Sequence, residues 1–383
     1  MYSNLNKHLL LFTDCIVLEG YLNNIIFDFS RESNSSFLPK SYINFIENCK
    51  QYTLKEIFDF SEQDDFEIIT DYIEFTLKKE LGFLCDIELL NSFPPLGKII
   101  NSPEYIDNCI VEILNFDIQY LNKISSIIDD LMITHVELRI FNINISDLEN
   151  LIQIFGKSIV ESISLYIDIL GGNQDKCRVE ALMQQYLRIK KVVLFNQIKE
   201  GNNDKYTLIF KEQSLNKFLE QTIPLTRNLN LSFHLESQNV NPYLYKKMFI
   251  DISGNIRISE DVDLVFGNIN EISSSNEIIN VVNGIGYKSL WNSPKNKIQV
   301  CKDCEYQTVC FDTRIPQKVN DSTTYYFKNE CVYNPYIGKT KGEEGYRPLA
   351  ECGVISNENG FSIDHEKIAE INKELWEEED VTD

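Results

Sequence analysis

Ten cysteines are spread unevenly along this 383-residue chain. Five crowd into its last quarter: Cys301, Cys304, Cys310, Cys331 and Cys352. The first three form a C-x2-C-x5-C block, and Cys331 follows after a gap. A C-x2-C pair lets two sulfurs reach one centre from a tight turn; more distant sulfurs close the site and pin two segments together. Four such thiolates can hold a tetrahedral Zn2+ or a cubane iron–sulfur cluster. In a chain read as cytosolic, this clustering favours a metal over disulfides. Cys352 is a spare thiol able to replace Cys331. Asp303 and Glu305 flank the sulfurs and would add negative charge, which disfavours holding an electron. The remaining five, Cys15, Cys49, Cys85, Cys109 and Cys177, sit among apolar neighbours and read as buried free thiols.

Other polar residues carry weaker signals. His234 lies in an alternating run, 229–236, whose apolar face is Leu231, Phe233 and Leu235. It is expected on the polar face of a strand, where it could line a barrel lumen. His8, His135 and His365 are isolated, and no Ser–His–Asp arrangement is legible. Asn283–Gly286 holds a single Gly-x-Gly without the lysine of a phosphate loop, and reads as a turn.

The elements that must position these residues fall into three stretches. Residues 15–20 and 24–30 are apolar, β-branched runs around a turn at Gly20–Asn23, a hairpin pattern. Three helical segments follow. The first carries Tyr42, Phe45, Ile46 and Cys49. The second carries Leu54, Ile57 and Phe58, with Thr53 as N-cap. The third carries Phe66, Ile69, Ile73 and Leu77 and runs to Gly82. This is the order of a winged-helix unit. Phe93–Gly97, with two prolines, is a linker. Strand patterns at 108–116, 135–141, 162–169 and 191–197 then alternate with helical patterns at 118–132, 146–156 and 176–188. That alternation means βαβ units and a parallel sheet, either a partial (β/α) barrel or a doubly wound sheet. Further strands are expected at 206–211 and 229–236. A second hairpin is expected at 246–259, a helix at 268–284, and a last helix carrying Ile368, Ile371 and Leu375 with Ser362 as N-cap. The acidic run from Glu377 reads as a solvated face. The expected domains are 1–92, 93–240 and 241–383.

The first stretch is similar to the PqqD-like recognition elements at the front of many enzymes that modify ribosomally made peptides. The resemblance implies that a precursor leader binds as an added strand against the hairpin, by β-augmentation. The acidic third helix (Glu67, Asp71, Glu74 and Glu80 against Lys78 and Lys79) speaks against DNA as the ligand. The cysteine block with Cys331 resembles the second auxiliary-cluster motif of SPASM domains, the C-terminal modules of radical SAM peptide-modifying enzymes. Residues 250–256 and 266–269 resemble strand–turn segments of that module, and 331–338 its closing segment. Taken whole, the chain resembles the SPASM-domain peptide maturases encoded beside ATP-grasp ligases, the grasp-with-spasm systems.

The departures from that pattern are specific. Radical SAM chemistry needs C-x3-C-x2-C after the first barrel strand, and residues 117–122 there contain no cysteine. Cys109 lies inside the strand, and Gly171–Gly172 reads as a loop. A first auxiliary cluster also lacks ligands: the second hairpin carries Tyr243, Tyr245 and Ser259, and Cys310 is followed by Phe311, Asp312, Thr313 and Arg314. The resemblance therefore implies a radical SAM scaffold without S-adenosylmethionine cleavage. It implies one site, Cys301, Cys304, Cys310 and Cys331, holding a [4Fe–4S] cluster or, alternatively, Zn2+ in a structural role.

Composition bounds the rest. Hydrophobic residues make up 43% and charged residues 25%, a globular balance. No eighteen-residue apolar window and no secretory segment is expected, so the reading is a cytoplasmic protein without a membrane span. Acidic residues outnumber basic ones, 58 to 36, for a net charge of −22. That argues against a general nucleic-acid binder, which needs clustered Lys and Arg, and leaves open a small nucleotide at one local site. The expected function is maturation of a ribosomally synthesised peptide: binding the leader and presenting the core to a partner ATP-grasp ligase that installs ester or amide crosslinks. The alternatives are an active iron–sulfur peptide-modifying enzyme or a Zn-stabilised interaction protein.

Overall fold

The computed structural model describes residues 5–31, 35–90, 92–93, 96–97, 104–141, 143–168, 173–197, 201–203, 207–221, 225–320, 322–357 and 360–376. Gly171–Gly172 and the acidic run from Glu377 lie outside them. The chain divides into two interleaved units. One takes Met1–Ile100, Leu225–Pro242 and Ser293–Asp383; the other takes Asn101–Pro224 and Tyr243–Asn292. The sequence division at 92 and 240 cuts across these units.

The first unit opens with strands β1 (His8–Leu11), β2 (Cys15–Glu19), β3 (Asn24–Asp28) and β4 (Ser35–Leu38). Helices α1 (Lys40–Cys49), α2 (Leu54–Phe60) and α3 (Phe66–Lys78), strand β5 (Gly82–Cys85) and helix α4 (Ile87–Leu90) follow. The expected hairpin is β2–β3, with Gly20 N–H donating to Asn23 O at 2.8 Å across the turn. Thr53 caps α2 in a reciprocal box with Glu56. The third helix stops at Lys78, short of Gly82. Glu80 turns into the left-handed region, and Leu81 N–H closes back on Thr76 O. Gly82 then opens β5, which pairs with β1; β4 adds to β3, leaving β2 at one edge of a three-stranded sheet.

The β2–β3 hairpin buries both of its faces. Cys15 and Ile26, with Val17, pack into the helical core with Leu9, Tyr42, Ile46 and Ile73. Leu18, Ile25 and Phe27 pack the other way, against Tyr306, Val309 and Tyr333 of the cysteine-rich segment. The two-residue period of a strand sends alternate side chains to opposite faces. That is why Ile25, Ile26 and Phe27 of β3 are all apolar and all buried.

The second unit is mixed α/β. It runs β6 (Asn108–Ile113), α5 (Ile118–Asp130), β7 (His135–Ile140), α6 (Ile145–Phe155), β8 (Ser162–Asp168), α7 (Asn173–Gln185), β9 (Ile189–Phe195), β10 (Gly201–Asn203), β11 (Leu208–Phe210) and α8 (Leu215–Leu219). Strands β6 to β9 pair in sequence order and in parallel. Stepping in one direction through right-handed crossovers places their helices on one face. The chain then passes through the first unit as β12 (Thr226–Arg227) and α9 (Leu231–Ser237). It returns as β13 (Lys247–Ile250), β14 (Asn255–Arg257), β15 (Gly267–Asn268), α10 (Ser275–Asn283) and α11 (Ile285–Lys288). The β13–β14 pair is the expected second hairpin, and β13 extends the parallel sheet beside β6. The complete sheet runs β10-β11-β9-β8-β7-β6-β13-β14-β15.

Some expectations fail. Residues 229–236 do not form a strand: the Asn230 side chain accepts from Phe233 N–H and starts helix α9. Over eight residues alternation cannot exclude a helix, and the cap decides. The helix expected from 268 begins at Ser275. Cys177 is exposed on α7, whose Val179, Leu182 and Met183 face inward instead. The other four scattered cysteines are buried as expected.

The remainder of the first unit is short paired strands: β16 (Cys310–Phe311) against β12, then β17 (Gln317–Lys318) with β18 (Tyr325–Tyr326), β19 (Tyr333–Asn334) with β20 (Lys339–Thr340), and β21 (Val354–Asn357) with β22 (Gly360–Ile363). Helix α12 (His365–Trp376) closes it. Ser362 lies within β22; Asp364 accepts the Lys367 N–H at the helix start instead.

Candidate functional site

Two features of the first unit gather chemistry: the late cysteines and a groove along the hairpin. The C-x2-C turn closes with Cys304 N–H on Cys301 O at 3.1 Å, and Gln307 and Val309 N–H bond back to Cys304 and Tyr306. Val300, just before the turn, has φ +69°, a conformation that costs a β-branched residue about 1–3 kcal/mol. Its side chain is held in a core with Tyr336, Leu349, Val354 and Ile368. That packing fixes the direction in which Cys301 leaves the loop.

Cys304, Cys310 and Cys331 share the core beneath the hairpin, and Cys301 packs beside Ile298, Tyr325 and Phe327. The sulfurs lie within electrostatic reach of one another: Cys301, Cys304 and Cys310 mutually, and Cys331 with Cys310. Cys352 sits apart in a core with Ile337 and Ile371, where its sulfur accepts from Asn334 Nδ2 at 3.4 Å. Its packing thus differs from that of the other four. Among the described residues no three of these sulfurs lie within 4.8 Å of one another. Bonds of about 2.3 Å to one tetrahedral Zn2+ would bring sulfurs to within about 4 Å. A cubane's ligands bind separate corners, so its sulfurs lie farther apart than those around a single ion. Three of the sulfurs share one core and Cys301 packs in another, and thiolates are the donors that either group takes.

The charge around the sulfurs differs from the sequence expectation. Lys295, which the sequence reading does not name, and Arg314, which it names only as a non-cysteine, reach the site with Asp312. Lys295 is 5% exposed; its Nζ donates to Cys310 Sγ at 3.3 Å and to Asp312 Oδ2 at 2.9 Å. Arg314 Nη2 donates to Asp312 Oδ2 at 2.7 Å. Burial opposes charge on Asp312, but the Arg314 and Lys295 hydrogen bonds and charges hold its carboxyl well below the usual range. Asp303 and Glu305 are engaged by phenols: Tyr336 Oη donates to Asp303 at 2.7 Å, and Tyr333 Oη donates to Glu305. The cations nearest the sulfurs therefore offset carboxylate charge. Burial pushes the Cys301 thiol up to about 12 and also raises Cys304 and Cys310, so a bound metal has to displace protons there.

The groove has a volume of about 670 Å³ and follows β2. Leu9, Val17, Ile43 and Ile46 line it, with Leu235 and His234 among its other walls. The Gly20–Asn23 and Phe29–Asp14 bonds set the ladder so that Ile16 and Leu18 turn their main-chain groups to β3. Val17 and Glu19 turn theirs outward, along the edge that borders the groove. His234 is 1% exposed on α9, not on a strand face. Its Nδ1 lies 2.9 Å from Thr308 Oγ1, its Nε2 lies 2.7 Å from Gln238 Nε2, and its ring packs 5.0 Å from Phe29.

Two other clusters are internally satisfied. Asp14, Cys15 and Asp28 bring three ligand atoms within 4.8 Å, but Asp28 accepts from Ser30 and is ion-paired with Arg31. In the second unit, Arg139 is 6% exposed and pairs with Glu137 at 2.7 Å and with Glu260. Where a radical SAM motif would follow β6, Asp117 caps α5 through the Gln119 and Tyr120 amides. No protein-family model, curated protein or solved structure matches this chain.

Proposed function

We propose that this protein captures a peptide as an added strand along β2 and serves the maturation of a ribosomally made precursor. The observation that carries this reading is the β2 edge, which ends its three-stranded sheet among the described residues and borders an apolar groove large enough for several side chains. Outward N–H and C=O groups of Val17 and Glu19 would bond the peptide main chain. Alternate peptide side chains would enter between Leu9, Ile43 and Ile46.

The likeness to grasp-with-spasm maturases supplies the rest of the reading. The peptide is a precursor leader, the partner that forms the crosslinks is an ATP-grasp ligase, and the second unit is a radical SAM-like partial barrel without its cluster ligands. Cys301, Cys304, Cys310 and Cys331 would hold a [4Fe–4S] cluster, with Zn2+ as the alternative; that no three of these sulfurs lie within 4.8 Å among the described residues supports the cluster. When bound, the group would supply a covalent tie between segments around 301–310 and 331. Lys295 would donate to the Cys310 sulfur and offset the charge of the thiolates.

Val17→Pro provides the test. Proline removes an outward N–H that β3 does not use and blocks strand addition, while the hairpin ladder stays intact. Titrating the full chain with the precursor peptide encoded beside it should give saturable binding. Val17→Pro should weaken that binding by about tenfold or more. Equal affinity in the variant, with an unchanged circular dichroism spectrum, would remove the β2 edge from the reading.

A further inference from the structure

The hairpin that borders the groove also reaches the cysteine loop. At its tip, Tyr21 N–H donates to Asp303 O at 2.7 Å. The Tyr21 ring stacks on His365 at 5.6 Å and meets the edge of Tyr336 at 5.0 Å; its hydroxyl lies 3.0 Å from His365 Nδ1. Asp303 and Glu305 are the neighbours of Cys304 in the chain. The approach is close at Gly20, where a Cβ would come within 2.8 Å of Glu305 N. At Gly338 (φ +65°) a Cβ would come within 2.6 Å of Asn23 Nδ2. Behind the tip, the Leu18, Ile25 and Phe27 face lies on Tyr306, Val309 and Tyr333, in the same core as Cys304, Cys310 and Cys331.

We propose that the β2–β3 hairpin and the four-sulfur centre form one cooperative unit, in which metal occupancy at the sulfurs sets the order of the peptide-docking edge. The importance of that edge rests on the function proposed above; the coupling itself does not. Without the tie between sulfurs, the loop from 301 to 310 holds its shape through short turns and a strained Val300. Loosening it uncovers the apolar face of the hairpin and releases the socket around Tyr21. Linkage is reciprocal: whatever steadies the hairpin must tighten metal binding by the same factor.

The test uses the full chain, reconstituted anaerobically with iron and sulfide or loaded with Zn2+, against the chain stripped by chelator. Hydrogen–deuterium exchange is followed in fragments covering residues 15–28, with 135–168 of the parallel sheet as reference. Stripping should speed exchange in the hairpin by about tenfold or more and leave the reference unchanged. In chelator competition, Gly20→Val should weaken metal binding by about tenfold, within the usual range of coupling between sites. If that variant does not fold, Tyr21→Leu, which removes the socket contacts without crowding the backbone, should weaken it severalfold. The proposal is overturned by equal hairpin exchange in loaded and stripped protein, by an equal rise in the reference, or by a chain that takes up neither group. Unchanged metal affinity in a folded variant overturns it too. Coupled exchange in a chain that binds no peptide upholds the coupling and removes the peptide reading instead.

Discussion

His234 shows how a residue read correctly as polar can be misplaced by its element. Placed on a strand, it would share a face with Ser232 and Glu236. On α9 it is buried between Phe29 and the loop residue Thr308. Burial pushes its imidazole down from the usual 6.5 to about 4. Above the unfolded value both folded and unfolded chains hold it neutral. As pH falls from about 6.5 to about 4, the unfolded chain takes up a proton that the folded chain refuses. Stability should therefore fall across that window by up to about 3 kcal/mol from this group. Urea unfolding at stepped pH checks this, and His234→Asn should flatten the slope. A slope unchanged in the variant assigns the acid sensitivity elsewhere. Lys295, Asp312 and Arg314 teach a related lesson. Nothing in their local sequence marks them, because a buried ion cluster is assembled by packing and not by spacing.

At the scale of elements, signals with a local cause were legible. The Thr53 cap, the Gly20–Asn23 turn, the βα alternation and the second hairpin all depend on residues close in sequence. Short strands β1, β4 and β5 were missed, since four-residue strands gain their stability from the partner they pair with, which for β1 and β5 lies about seventy residues away. The choice between Cys331 and Cys352 also needed the structure. Cys331 lies just before β19, under the hairpin core, and its sulfur accepts from Tyr333 N–H at 3.4 Å. Cys352 follows a turn into a core near α12. Cys331→Ser should therefore abolish stoichiometric iron or zinc, while Cys352→Ser should retain it; metal analysis of both purified variants decides. Retention in Cys331→Ser together with loss in Cys352→Ser would reverse the assignment.

For the whole molecule, the front and the end of the chain belong to one unit. This changes what a fragment can do. Residues 1–92 alone would expose Leu18, Ile25, Phe27 and Phe29, which the full unit buries. Each buried side chain of this kind contributes about 1.5–3 kcal/mol, so the loss is comparable with the whole stability of a small domain. The fragment should melt without a cooperative transition or aggregate, whereas the full chain unfolds cooperatively. A sharp thermal transition in the isolated fragment would show that the hairpin needs no cover. The amino-acid sequence alone determined the late cysteine block, the α/β pattern of the middle, and the hairpin and three helices of the front, because each is written in spacings of a few residues. Which cysteine stands apart, which cations face the sulfurs, and that the hairpin is shared by two cores were decided by tertiary structure alone. Those are matters of which surfaces meet across hundreds of residues, and burial free energy, not local propensity, selects among them.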